Sequence, residues 1–283
     1  MEPKKQTPLE GGTAPIRDVI PDRRKPTESA TPQRGRGIYL LPNLFTTAGL
    51  FAGFYAIVAA MAGRWEAAAI GIFVAMIMDG LDGRIARLTN TQSDFGKEYD
   101  SLVDMVCFGL APALVVYNWA LQPLGKIGWL AAFLYAAATA LRLARFNTQA
   151  TTSNKRYFQG LASPAAAALV AGLIWLLNDL GVEGASVSKL AWVITVVAGV
   201  LMVSNIRYRS FKDIDLHGKV PFVAILAMVL TYVLISIDPP QVLFAIFLLY
   251  ALSGPVMTLV QLRKARKHRR EGHSGGKDAG HNP

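Results

Sequence analysis

The sequence predicts an all-α membrane bundle of about eight transmembrane helices, with a short interfacial helix before the first. Three observations carry that expectation. Runs free of Asp, Glu, Lys and Arg cover 44–63, 105–125, 157–178, 190–206, 220–237 and 239–262, and each is long enough as a helix to cross a ~30 Å hydrocarbon core. Two shorter runs, 67–78 and 127–141, end in Asp79 and Asp82 and in Arg142 and Arg145. They span only if those ends face a polar interior, and charge placed there marks a functional site. The basic residues also fall on alternate connections: of 29 Lys and Arg, only Arg64, Lys126 and Lys189 lie in segments expected outside. That bias places both termini in the cytoplasm.

Residues 1–37 are polar, charged and rich in Pro, and are expected to form a disordered cytoplasmic tail. The segment Gly37-Ile38-Tyr39-Leu40-Leu41-Pro42 is apolar but too short to span, which suits the membrane interface. The membrane domain then runs over 38–262. Its outer connections are short, and its inner ones, 88–99, 147–160 and 207–219, are longer and polar. A reaction with a soluble substrate therefore belongs on the cytoplasmic side. The tail 263–283 begins as a basic continuation of the last helix, ends in Gly, Ser and His, and is expected to be mostly disordered in the cytoplasm. The net charge of +10 fits topology and anionic headgroups. Nucleic acid is not expected as a partner, because no basic-aromatic interleaving accompanies the charge. Cys107, the one cysteine, lies in an apolar run and reads as a small packing residue. His217 reads as a solvated loop residue.

The stretch from Asp79 to Asp104 holds six of the 19 carboxylates. Asp79, Asp82, Gly83, Ala86 and Arg87 share one helix face, as do Asp100 and Asp104, with Gly96 one turn earlier. Two antiparallel helices joined by a polar loop would bring four carboxylates together. Such a group needs raised pKa values or bound cations. With oxygen ligands and no His or Cys among them, hard ions are favoured: Mg²⁺ or Mn²⁺, with Ca²⁺ a weaker fit. A pair of such metals is a standard device for phosphoryl transfer. Gly83 and Gly96 allow close ligand approach, and Arg87 can pair with phosphate. Asp94 and Glu98 fall off this register and read as solvated charge.

The pattern Asp79-x2-Asp82-Gly83-x2-Ala86-Arg87-x8-Gly96-x3-Asp100-x3-Asp104 resembles the signature of the CDP-alcohol phosphatidyltransferases. These enzymes move a phosphatidyl group from CDP-diacylglycerol to an alcohol and release CMP. The resemblance implies that Asp79, Asp82, Asp100 and Asp104 bind two metals and that Asp104 also acts as base. It implies contacts to CDP-diacylglycerol from Gly83, Ala86, Arg87, Ser93 and Gly96, and from Asn43 and Thr46 at the first span. It further implies a homodimer and, for a bacterial member, an inner-membrane location with a cytoplasmic active site.

The signature leaves the acceptor open among serine, glycerol 3-phosphate, inositol phosphate and choline. An ion or solute transporter is the alternative of another class, and it would show no substrate-dependent CMP release. Arg142 and Arg145 lie on one helix face and could bind the carboxylate of L-serine. The segments around Arg142–Asn147, Phe158–Ala167 and Met202–Lys212 resemble the bacterial phosphatidylserine synthase branch of the family. In one departure, Ala162 stands where that branch is expected to carry proline, a change expected to loosen the turn. Arg207, Arg209 and Lys212 could bind acceptor or headgroup, or only set topology.

Overall fold

A computed structural model describes residues 40–89, 91, 93–149, 157–209 and 222–274. Residues 1–39, Lys212, His217 and residues 275–283 lie outside the described residues, as do the side chains of Arg207 and Arg209. The expectations for those positions and for the N-terminal tail therefore concern no described element.

Helical rods occupy the eight apolar stretches. They begin with α1 (Leu40–Met61) and α2 (Trp65–Thr89). The third rod starts as α3 (Asp94–Asp104), widens into a π-helical turn over Met105–Leu110, continues as α4 (Ala111–Val116), widens again over Tyr117–Leu121 and closes at Leu124. Then come α5 (Lys126–Gln149), β1 (Tyr157–Gln159), α6 (Ser163–Asp179), α7 (Ser188–Val203), β2 (Arg207–Arg209), α8 (Phe222–Ile237) and α9 (Pro239–Ser274). Among the described residues, five stretches are long and apolar enough to cross a membrane: Pro42–Met61, Asp94–Leu124, Lys126–Thr148, Gly184–Val203 and Pro239–Val260. The 25-residue α2 has the length but carries Asp79 and Asp82, and α6 and α8 have 17 and 16 residues. This is an all-α membrane protein. Leu40–Pro42, expected in a separate interfacial segment, form the first turn of α1, because nothing in Leu-Leu-Pro interrupts a helix whose proline sits near its start.

Helix α6 lies at the centre, packed by α2, α7 and α9. Its Ala165–Ala168 and Ala171 are buried. Small residues let helix backbones approach closely where lipid supplies no hydrophobic drive for association. The same device joins α1 to the third rod. A Cβ on Gly53 would lie 2.6 Å from Cys107 Sγ and 3.1 Å from Cys107 Cα, so only glycine fits. Cys107 is buried, and its thiol donates to the Gly49 carbonyl at 3.3 Å.

On the side where α5 ends and α6 begins, β1 and β2 form an antiparallel pair with Phe158 opposite Tyr208. Gly160 follows β1 with φ +81°, and a Cβ there would collide with the Met202 carbonyl. Gly160 N donates to Ile206 O at 2.9 Å and Leu161 N to Leu201 O at 3.0 Å. Ala162 sits at φ −62°, ψ 137°, the φ a proline ring would impose. The turn therefore forms here without the missing proline. The ribbon docks on α9 through Tyr208, whose hydroxyl donates to Ala251 O at 3.0 Å. That carbonyl is freed because Pro255, four residues later in the same helix, has no N–H to offer it.

Candidate active site

The C-terminal end of α2 and the start of the third rod meet beside the N-terminal half of α1. α2 continues without a break through the charged stretch to Thr89, so Asp79, Asp82, Gly83, Ala86 and Arg87 keep their common face. α3 begins at Asp94, two residues earlier than the glycine in its first turn. Ser93 is its N-cap, with Oγ accepting from Gly96 N at 3.0 Å. Two bonds hold α3 in place: Thr47 Oγ1 lies 2.9 Å from Tyr99 Oη, and Asn147 Nδ2 donates to Ser101 Oγ at 3.0 Å.

One carboxylate oxygen each from Asp79, Asp82 and Asp100 lie within 4.8 Å of one another. Asp104 is adjacent, within hydrogen-bonding reach of Asp79. All four line a crevice of about 10 Å³ with Thr46, Gly49 and Cys107, room for a single small ion or water. Asp82 is 6% exposed and accepts from Thr46 Oγ1 at 2.7 Å. Among the described residues, none of the four carboxylates has a Lys, Arg or His within ion-pair distance; the pair the structure does contain, Lys97–Asp94 at 3.0 Å, is exposed. Clustered carboxylates partly shielded from water, with no cationic side chain in direct contact, fit a hard divalent cation, which would neutralise them and use their oxygens. Asp94 is solvated, as expected.

Beside the crevice opens a cleft of about 240 Å³. Asn43, Thr46, Gly83, Ala86, Arg87, Ser93 and Gly96 all line it, together with Asp82 and Asp100. Every position expected to contact the nucleotide lipid is thus brought to one cleft. Thr46, Asp82 and Asp100 belong to both cavities. Arg87 Nε donates to Gly83 O at 2.8 Å, which fixes one edge of the guanidinium on its own helix. Pro42, Thr91 and Lys97 also line the cleft and were not expected there. Lys97 directly follows Gly96 in the helix, and that adjacency to a glycine of the signature was the available signal. Thr91 lies in the loop and left none.

The two arginines of α5 part company. Arg142 is largely buried and interacts electrostatically with Asp104, and its Nη1 donates to Ser163 Oγ at 2.8 Å. Arg145 Nη1 instead donates to Val203 O at 3.2 Å and Asn205 Oδ1 at 3.4 Å. It ties α5 to the turn after α7. The helical register predicted a shared face but not these separate partners.

Comparison with known proteins agrees with this arrangement. The chain is 38% identical over 225 residues to the CDP-diacylglycerol–serine O-phosphatidyltransferase of Helicobacter pylori, an overlap covering 80% of this chain and 94% of that one. It is 33% identical over 226 residues to the protein of the same name from Mycobacterium leprae, covering 77% and 74%. The counterpart from Methanocaldococcus jannaschii is 35% identical over 183 residues, covering 65% and 80%. Residues 39–204 match the family described as CDP-alcohol phosphatidyltransferase, a stretch that runs from the start of α1 to the end of α7. With its acidic crevice and adjoining cleft inside that stretch, the chain belongs to the CDP-alcohol phosphatidyltransferase family.

Proposed function

We propose that this membrane protein is a transferase that moves the phosphatidyl group of CDP-diacylglycerol to the hydroxyl of L-serine, giving phosphatidylserine and CMP. The observation that supports it best is the shared wall: an ion-sized carboxylate crevice opens beside a cleft lined by Asn43, Thr46, Gly83, Ala86, Arg87, Ser93 and Gly96. A pyrophosphate in that cleft would lie next to the carboxylates. The names of the relatives direct the choice of acceptor to serine.

Asp79, Asp82, Asp100 and Asp104 would hold two divalent cations, Mg²⁺ or Mn²⁺, with Ca²⁺ a weaker fit: the crevice has room for one, and Asp82 and Asp100, which also line the cleft, would hold the second there. Bound there, the cations would offset charge on the phosphoryl oxygens and on the departing CMP. The chain's own residues do the rest. Thr46 fixes Asp82 by its hydrogen bond. Gly83 and Gly96 let the nucleotide approach the backbone, and Arg87 offers its remaining N–H groups to phosphate. Asp104 takes the serine hydroxyl proton as the serine oxygen bonds to the phosphorus carrying diacylglycerol and the bond to CMP breaks. Arg142, near Asp104, binds the serine carboxylate. Arg145, expected to share that task, holds the end of α7.

The basic inner connections support an inner-membrane protein with the cleft and both termini facing the cytoplasm, and we propose a homodimer by likeness to the family. The test is direct. Purified protein is given CDP-diacylglycerol and, in turn, L-serine, glycerol 3-phosphate, inositol phosphate and choline. CMP release is expected with L-serine; release with another alcohol alone would reassign the acceptor, and release with none would end the reading.

A further inference from the structure

We infer that Ser163 is a positioning residue for the acceptor: its hydroxyl holds Arg142 Nη1 so that the opposite edge of the guanidinium is presented to the acceptor's carboxylate. The inference rests on the serine reading above and adds a residue that the signature does not contain.

Ser163 is the first residue of α6 and is 0% exposed. A buried hydroxyl is costly unless it has a partner. It does not cap its own helix, for Ala162 takes the N-cap position. Among the described residues its hydrogen-bond partner is Arg142, at 2.8 Å. The turn that delivers Ser163 is itself fixed: Gly160 is held in its left-handed conformation against the end of α7, and Leu161 N is bonded to Leu201 O. The serine is thus a rigid fixture placed where α5 passes.

Arg142 shows the complementary feature. Its Nε is buried and, among the described residues, has no hydrogen-bond partner. A buried donor without a partner carries a desolvation cost, and is expected where a ligand completes the set. The guanidinium has two edges that can fork a carboxylate, one made by Nη1 and Nη2 and one by Nε and Nη2. Ser163 engages Nη1, which leaves the Nε edge for a bidentate carboxylate. Arg142 also lies within electrostatic range of Asp104. A carboxylate held on this edge brings the remainder of a short amino acid toward the group that takes its hydroxyl proton. Were Arg142 only a counter-ion for Asp104, the choice of edge would not matter and all acceptors would depend on Ser163 equally.

That difference gives the experiment. The purified full chain in detergent, supplied with CDP-diacylglycerol and Mg²⁺, is assayed for CMP release with L-serine and with serinol, which keeps the hydroxyl and ammonium but has no carboxylate. Ser163→Ala is expected to raise the KM for L-serine about tenfold, the effect of one charge-assisted hydrogen bond, with the KM for CDP-diacylglycerol unchanged. The kcat/KM for serinol, slow in the wild type, is expected to stay within about threefold. Adding Ser163→Ala to Arg142→Ala is expected to raise the KM for L-serine no further. An unchanged KM for L-serine, an equal loss with serinol, or additive effects in the double variant each overturn the inference. Should the alanine variant fail to assemble, Ser163→Cys makes the same comparison with a near-isosteric but weakly hydrogen-bonding group. A wild-type chain that released no CMP with L-serine would sink the reaction assignment and this inference with it; a working wild type and a variant identical to it sink the role of Ser163 alone.

Discussion

The contact between Gly53 and Cys107 offers a test of how closely the packing of α1 governs the acidic site. In Gly53→Ala the new Cβ would lie 2.6 Å from Cys107 Sγ and 3.1 Å from its Cα. Comfortable carbon contacts begin near 3.5 Å, so the rod and α1 must part by about 1 Å. Cys107 stands one turn beyond Asp104, on the same rod. The separation therefore carries Asp104, and with it Asp100, away from Asp79 and Asp82. Metal–ligand distances in a well-formed site keep within about 0.2 Å of their usual values. Overpacking of this kind costs about 1–3 kcal/mol, which corresponds to a fall in melting temperature of roughly 2–10 °C. We expect that fall in detergent, together with a Mg²⁺ requirement for CMP release raised about tenfold or more. Gly53→Ala/Cys107→Ala removes the sulfur and leaves the milder approach to the backbone, and is expected to recover most of both losses. The reasoning is refuted if Gly53→Ala melts and titrates with Mg²⁺ like the wild type, or if the double variant recovers nothing.

Three further outcomes are expected. Asp100→Asn abolishes CMP release while the protein still elutes as a folded membrane protein; near-normal turnover would remove the metal-site argument. Thr46→Val keeps the shape of the side chain but deletes the 2.7 Å bond to Asp82. A hydrogen bond to a charged group is worth about 1.5–3 kcal/mol, so the Mg²⁺ requirement is expected to rise at least tenfold, and a shift below twofold would count against the role of Thr46. Chelation with EDTA is expected to stop the reaction, and Mg²⁺ or Mn²⁺ to restore it; continued turnover under chelation would exclude a dependence on dissociable metal.

The bundle and the acidic site were legible in sequence for the same reason: both are written in local periodicity. The gaps between charges mark the helices because a lipid-facing side chain must be apolar over a whole span, and the spacing of the acidic residues survives because α2 runs unbroken through Asp79 and Asp82 and α3 through Asp100 and Asp104. What escaped depends on distant partners. β1 and β2 are three residues each, too short to show alternation, and they meet across a separation of about 50 positions. The π turns after Asp104 and Val116 arise where the rod packs against its neighbours. Arg142 and Arg145 share a helix face, yet one meets the head of α6 and the other the end of α7, a division set by those two termini. Ala162 shows the converse: the residue differs from the expected proline, but surrounding hydrogen bonds keep the backbone where proline would have put it.

Because Thr46, Asp82 and Asp100 stand in the partition between the ion-sized crevice and the larger cleft, neither compartment can fill without altering the other's lining. A cation in the crevice and a nucleotide lipid in the cleft would therefore be thermodynamically linked. Whatever factor the cation contributes to affinity for the nucleotide lipid, the nucleotide lipid returns to the cation. With cations and a pyrophosphate of opposite charge on that wall the linkage would be favourable, so an enzyme short of CDP-diacylglycerol would hold its ions loosely and arrival of the lipid would tighten the grip.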